Sequence, residues 1–243
     1  MKQVLNILGV VGARSGSKSI RDKNIYPLLG KPLMAWIIES AKKSKYLTKL
    51  IVSTDSKKYA KIARSLGVEV PFLRPKELAE DHIPDIDYLV HATLWLEQNQ
   101  GWKADIILRL PPTSPLCQAE SIDRCIELLL NDPKATSART IKSAPKHPYK
   151  LWRIENDILL PFIPKELTGF AEPSNMPRQA LIPAYAHVDV IAVRYNTLVI
   201  DKLLTGKRVR YHLLPKTEVV DIDSELDLIV AEILLKKRRK AKI

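Results

Sequence analysis

"LIVSTDSKKYAKIARSLGVEV", Leu50–Val70, holds the pattern from which the fold is read. Leu50–Thr54 is a short run of branched apolar and hydroxyl residues, the composition of a strand. Asp55 stands where a helix cap is expected, and apolar residues then recur on one face of Lys57–Leu66. Gly67 supplies the stop, and a second strand-like run, Glu69–Phe72, follows.

The same alternation continues in both directions. Strand-like runs are Val4–Val11, Asp105–Leu110, Ala135–Ile141, Tyr185–Arg194 and Val209–Leu214. Helix-like runs are Leu33–Lys45, Pro84–Gln98, Ser121–Leu130, Thr197–Leu204 and Ser224–Lys240. Strands alternating with helices of this length predict an α/β fold with a mostly parallel sheet and helices on its faces. Ligands of such sheets sit outside the carboxyl ends of the strands, so the loop after the first strand is expected on the ligand side. The alternation breaks over 142–184, a stretch with seven prolines and a hairpin-like pair, Leu151–Ile154 and Ile158–Phe162. A connection this long inside a compact domain is usually functional. The expected organisation is one domain, 1–243, with 142–184 as an inserted arm serving as lid, substrate wall or dimer contact.

Composition narrows the class. No run of eighteen apolar residues occurs, so no membrane span is expected, and the brief apolar start reads as a buried strand and not a signal peptide. Cys117 and Cys125 fall in one predicted helix eight residues apart, about 12 Å of rise, which is beyond disulfide reach and fits a reducing cytoplasm. The net charge of +12 points to anionic ligands, but the tail run Lys236–Lys240 with Lys242 supplies six of those charges. A basic helix end favoured by the helix dipole explains that run, so nucleic acid is not the expected partner.

Four stretches carry polar chemistry. "GARSGSKSIRDKN", Gly12–Asn24, fails the P-loop spacing, because Ser17 separates Gly16 from Lys18. Arg14, Lys18, Arg21 and Lys23 nevertheless suit a triphosphate clamp, with Gly16, Ser15 and Ser17 letting backbone N–H groups approach phosphate oxygens. A basic surface turn is the alternative. "VSTDS", Val52–Ser56, serves either as a helix cap or as a ligand contact, and "LRLPPTSPL", Leu108–Leu116, either as a stiff pocket wall or as a rigid turn. In "VVDIDSELDL", Val219–Leu228, Asp221 and Asp223 share one side of an extended backbone. Beside a phosphate clamp, such a pair suggests Mg²⁺, a hard cation that prefers oxygen ligands. A cap on the last helix is the other reading. The five histidines are scattered and read as packing or surface residues.

Taken in order, "ARSGSKSIRDKN", "IVSTD", "VPFLRPKELAEDH", "PPTSPL", "HPYK", "PRQ" and "VVDIDSELDL" resemble the acylneuraminate cytidylyltransferase (CMP-sialic acid synthetase) family. The resemblance runs from about Val10 to Ala231, nearly the whole chain. It implies a nucleotide-diphospho-sugar transferase-like α/β fold, Rossmann-like, and a homodimer whose arm reaches the partner. It also implies a reaction: CTP and a 2-keto sugar acid (a sialic-acid-like nonulosonate) give the CMP-sugar and pyrophosphate, with Mg²⁺.

By the same resemblance, Arg14 and Lys23 neutralise the triphosphate, and Asp221 and Asp223 hold the metal, with Asp223 among the catalytic residues. Asn24 and Arg74 match positions at the nucleotide, and Lys150, Arg178 and Gln179 match the sugar side. Pro111 stands where a glutamine is common, and "AHVDVIA", Ala186–Ala192, replaces "RPNGAIY", which puts Val188-Asp189 in place of an Asn-Gly pair. The sugar end thus departs further than the nucleotide end and implies a relative of N-acetylneuraminic acid as substrate. The runner-up substrates are an eight-carbon keto-sugar acid or a sugar 1-phosphate, and the competing class is a nucleic-acid-binding module built on the tail.

Overall fold

The computed structural model describes residues 5–240, which form two compact units, 5–140 with 188–240, and 141–187. The first is built on a six-stranded sheet. Its strands are β1 (Ile7–Gly12), β4 (Lys49–Ser53), β5 (Ile106–Leu110), β6 (Ser137–Ser143), β9 (Tyr185–Arg194) and β10 (Val209–Leu213), in the order β10-β6-β9-β5-β1-β4. A separate two-residue ladder pairs β2 (Pro27–Leu28) with β3 (Lys31–Pro32). β1 runs parallel to β4 and β5, whereas β9 runs antiparallel to β5. Helices α1 (Leu33–Ala41), α2 (Lys57–Ser65), α3 (Asp85–Gln100), α4 (Ala119–Leu130) and α5 (Glu225–Lys240) complete the unit.

The two-residue period of β1 explains the layering. Ile7 and Val11 pack with Met34, Ile37 and Ile38 of α1 and Ile122 and Ile126 of α4. Leu8 and Val10 point the other way, onto Leu89, Ala92 and Leu96 of α3. Both faces are therefore covered, as expected of an α/β sheet. Gly12 ends β1 under the ring of Tyr88, where a Cβ would come within 2.6 Å of the ring, so only glycine permits this approach.

A third apolar cluster draws together segments that are far apart in the chain. It joins Ile20 of the opening loop, Leu116 of the turn after β5, Val220 and Ile222 of the Asp-Ile-Asp segment, and Leu228, Ala231 and Leu235 of α5. Ile222 is fully buried, and burial of such a side chain stabilises by about 1.5–3 kcal/mol. Segments some 200 residues apart in sequence are thus brought together by ordinary core packing.

The elements differ from the sequence reading in places. Glu69–Phe72 forms only a single parallel bridge, Ile51 to Glu69, because Pro71 has no N–H to extend the ladder. α1 stops at Ala41, since Ser44 Oγ and Lys45 N instead donate to Asp123 at 2.5 and 3.1 Å. Of the expected helix Thr197–Leu204 only the first half is helical, within the short π-helix Asn196–Ile200. Cys117 precedes α4 and does not share it with Cys125; both are buried free thiols. Val4, at the start of the first expected strand, lies outside the described residues, as do 241–243.

The second unit holds an antiparallel hairpin, β7 (Trp152–Glu155) with β8 (Ile158–Pro161). Asn156 and Asp157 both take positive φ, 50° and 61°, the conformation of a tight type I′ turn. Short single turns at Pro148–Lys150, Pro173–Asn175 and Arg178–Ala180 follow the prolines that begin or precede them. Ile154, Ile158, Leu159, Phe162 and Leu167 are exposed on this unit.

Candidate active site

The opening loop leaves β1 when Ala13 N donates to Ser53 O at 3.0 Å. Asp55 then receives Ser15 N at 2.7 Å and Ser15 Oγ at 2.5 Å, which shapes the first turn of the loop. Asp55 is therefore not the cap of α2: Ser56 takes that place, its Oγ accepting Tyr59 N at 3.3 Å. Gly16 follows with φ +78°, a left-handed conformation that favours glycine, and Gly16 is exposed while Ser17 is half-buried. At the far end of the loop, Asp22 is clasped by Tyr59 Oη and Lys58 Nζ, each at 2.9 Å.

The cations of the loop have definite partners. Arg14 Nη1 and Lys18 Nζ converge on Asp81 at 2.7 and 2.5 Å, and these two cations, Lys18 first, hold the Asp81 carboxyl below its ordinary range. Both contacts are open to solvent, where an anion of higher charge competes well for them. Asn24 is buried, and its Nδ2 donates to Arg14 O at 2.9 Å, fixing the backbone from which Arg14 projects. Lys23 reaches across to the other chain segment: its Nζ donates to Ile222 O at 2.8 Å and lies 3.0 Å from Asp223 Oδ1.

Around Asp223 the backbone is held from both sides. Ile222 N donates to Thr113 O at 2.9 Å, tying the segment to the "PPTSP" turn after β5. Ser224 immediately precedes α5, its hydroxyl and N–H both donating to Asp227 Oδ2, at 2.7 and 2.8 Å. Burial works against the Asp227 carboxylate, but the bonds from Ser224 and Asp223 N outweigh it and hold the group below its ordinary value. Ser224 and Asp227 thus cap the helix, which leaves Asp221 and Asp223 as exposed carboxylates flanking buried Ile222.

This arrangement fits a hard cation. Among the described residues no group of three or more His, Cys, Asp or Glu side chains is arranged for a metal. A cation at Asp221 and Asp223 therefore has two carboxylates and needs further oxygens, the usual situation of Mg²⁺ completed by phosphates and water.

Arg74, matched by resemblance to the nucleotide end, is buried and stacked on Tyr88, its guanidinium 4.2 Å from the ring centroid. Its Nε and Nη2 donate to Ser53 Oγ and O at 3.0 and 2.8 Å, and burial lowers its pKa. It supports the floor beneath the loop. Arg109 plays a similar part deeper in the sheet, paired with Asp85 and donating to Asp189 O at 3.2 Å.

The residues matched to the sugar lie in the second unit. Lys150 Nζ donates to Ser174 O and Met176 O at 3.0 and 2.7 Å, and Arg178 Nη2 donates to Ala144 O at 2.9 Å. Arg178 and Gln179 line a cleft of about 260 Å³ in this unit together with Ser143, His147 and Ile182. Both cations thus hold the arm's own backbone.

Sequence reasoning passed over several of these partners. Asp81 was visible only as a letter in "AEDH", and Asp55 was read as a cap. The basic tail also differs from a plain solvated end, since Arg238 donates to Leu116 O and Thr217 O at 2.9 and 3.1 Å.

A mostly parallel sheet with a basic loop after β1 and an aspartate pair before the last helix is the arrangement of an α/β protein suited to a phosphorylated ligand. Residues 8–151 match the family described as Cytidylyltransferase, and the chain belongs to that family. An N-acylneuraminate cytidylyltransferase of Escherichia coli is 27% identical over 237 residues, covering 98% of this chain and 54% of that protein. A CMP-N,N'-diacetyllegionaminic acid synthase of Legionella pneumophila is 40% identical over 124 residues, covering 51% and 53%. The matched part spans about half the length of these two relatives. Among solved structures, a CMP:2-keto-3-deoxy-manno-octonic acid synthetase complexed with CTP superposes with a TM-score of 0.69 at 17% identity, over 96% of this chain and 99% of that one. That likeness supports the nucleotide-diphospho-sugar transferase-like fold expected from the sequence.

Proposed function

We propose that this protein is a cytidylyltransferase that transfers CMP from CTP to a 2-keto sugar acid of the nonulosonate class and releases pyrophosphate. The observation that carries the reading is the Lys23 bridge: one ammonium from the opening loop meets both Ile222 O and Asp223 Oδ1, beyond the carboxyl end of β1. A cation and a carboxylate pair fixed together are what a triphosphate with a divalent cation requires. The names of the relatives, neuraminate and legionaminate enzymes, support the acceptor class.

In this reading Arg14, Lys18 and Lys23 face the β- and γ-phosphates, while Ser15, Gly16 and Ser17 present the loop backbone. Asn24 and Arg74 hold the shape of the nucleotide end. Asp221 and Asp223 would hold Mg²⁺, which when bound would neutralise phosphate charge. The anomeric hydroxyl of the sugar attacks the α-phosphorus, giving its proton to the Asp223 carboxylate as the new O–P bond forms and the bond to pyrophosphate breaks. Loop cations stabilise the charge that gathers on the leaving pyrophosphate. Lys150, Arg178 and Gln179 serve the sugar acid, a cation suiting its carboxylate.

A homodimer through the second unit is part of the proposal, supported by the exposed apolar side chains of its hairpin. So is a cytoplasmic setting, supported by the two free thiols. No helix among the described residues is long and apolar enough to cross a membrane. An eight-carbon acceptor is the second reading, favoured by the structural likeness to the octonic acid synthetase.

The bridge is tested by Lys23→Ala. Calorimetry with CTP and Mg²⁺ is expected to show affinity reduced at least tenfold, in keeping with about 1.5–3 kcal/mol for a charged hydrogen bond. Unchanged CTP affinity in the folded variant would make the loop a basic surface turn.

A further inference from the structure

Asp189 is the second residue of the buried part of β9, after Val188 and two residues before Ile191, which pairs with Arg109 of β5. Because β9 runs antiparallel to β5, its early residues lie at the carboxyl end of β5, the end that carries Pro111–Leu116 and, through Thr113 O, the Asp-Ile-Asp segment. Asp189 is only 2% exposed, yet neither Oδ1 nor Oδ2 has a hydrogen-bond partner. Ser114, close enough to influence Asp189, is likewise buried with an unpartnered hydroxyl.

Most buried polar atoms in folded proteins are satisfied, and an orphaned carboxyl costs far more than an orphaned hydroxyl. The backbone here is not loose: Arg109, itself anchored on Asp85, grips Asp189 O, and Thr140 Oγ1 receives Val190 N at 3.0 Å. With the backbone held this firmly, the Asp189 carboxyl has the Ser114 hydroxyl beside it and acceptor capacity left for a donor from outside the chain. Asp221 and Glu218 add negative charge nearby, so the position repels the carboxylate of a sugar acid and accepts its N–H or O–H groups.

We propose that Asp189, with Ser114 beside it, is a specificity-determining residue that accepts a hydrogen bond from a hydroxyl or amide N–H of the acceptor sugar. The inference rests on the cytidylyltransferase reading of the site. It assigns Asp189 to the acceptor and not to CTP or the metal.

The experiment compares wild type with Asp189→Asn, which keeps shape and exchanges one acceptor oxygen for a donor amide, and with Ser114→Ala. Steady-state pyrophosphate release is measured with CTP, Mg²⁺ and pairs of nine-carbon keto-sugar acids differing by one hydroxyl or acylamino group, and CTP binding is followed by calorimetry. The expected result is a KM for the sugar raised at least tenfold in Asp189→Asn, a smaller rise in Ser114→Ala, and CTP affinity within twofold of wild type. For one pair, the wild-type preference in kcat/KM should collapse toward unity in Asp189→Asn. An unchanged sugar KM and unchanged preference in a folded, active variant would overturn the inference and make the partner of Asp189 a water or a proton. Loss of CTP affinity instead would move Asp189 to the nucleotide. If wild type itself releases no pyrophosphate with any acceptor, the cytidylyltransferase reading fails, a result distinct from either of these.

Discussion

Burial of Asp189 without partners has a consequence for folding that needs no substrate. Desolvation is the main cause; the neighbouring Ser114 hydroxyl opposes it, the Asp221 and Glu218 carboxylates reinforce it, and the carboxyl rises from its ordinary 3.8 to about 7. Between those values the folded protein holds a proton that the unfolded chain releases, so stability falls as pH rises and levels off above about 7. Three units at 1.36 kcal/mol each give a total on the order of 4 kcal/mol. The perturbation is Asp189→Asn, which carries no such proton. Urea unfolding at fixed pH values from 5 to 8 would give the stability of both proteins, and the wild-type minus variant difference is the readout. That difference should fall by up to about 1.4 kcal/mol per pH unit and flatten near pH 7.5. His91 and His212, both lowered by burial, titrate alike in the two proteins and cancel. Cys117 and Cys125, which also feel Asp189, are raised by burial, Cys125 to about 12, and stay neutral throughout. A difference that is flat from pH 5 to 8 would refute the reasoning, since Asp189 would then have found a partner or ordinary acidity.

Two other substitutions separate function from framework. Asp223→Asn should leave the fold intact and lower Mg²⁺-dependent turnover on the order of a hundredfold, as loss of a central electrostatic group does; near-normal turnover would reduce the pair to part of the α5 cap. Arg238→Ala should lower unfolding stability by about 1–3 kcal/mol through two lost carbonyl contacts, while Lys237→Ala next to it changes stability by less than about 0.5 kcal/mol. Equal effects in urea unfolding would return the tail to a uniform solvated end.

The elements legible in the sequence were those whose signal is local. Ile7–Gly12 and Lys57–Ser65 follow directly from apolar period and end residues, and the hairpin turn at Asn156-Asp157 from residues tolerant of positive φ. Glu69–Phe72 misled because strand composition does not reveal that a proline closes the edge. Of the candidate site, Arg14, Lys23, Asp221 and Asp223 stood out by charge and spacing. Their actual partners did not: Asp81 meets Arg14 across 67 positions, and Ile222 O meets Lys23 across 199. Asp189 was visible only as a departure from the resembling family, for its burial and its lack of partners arise from three neighbouring strands and the turn after β5. Arg238 was hidden in a charge run that makes every member look alike.

The central claim is tested most directly by mixing the protein with CTP, Mg²⁺ and a panel of nine-carbon and eight-carbon 2-keto sugar acids and measuring pyrophosphate. The account predicts release that requires both CTP and a sugar acid, with a nine-carbon acid other than N-acetylneuraminic acid giving the highest kcat/KM. No pyrophosphate above the sugar-free rate with any member of the panel would contradict it.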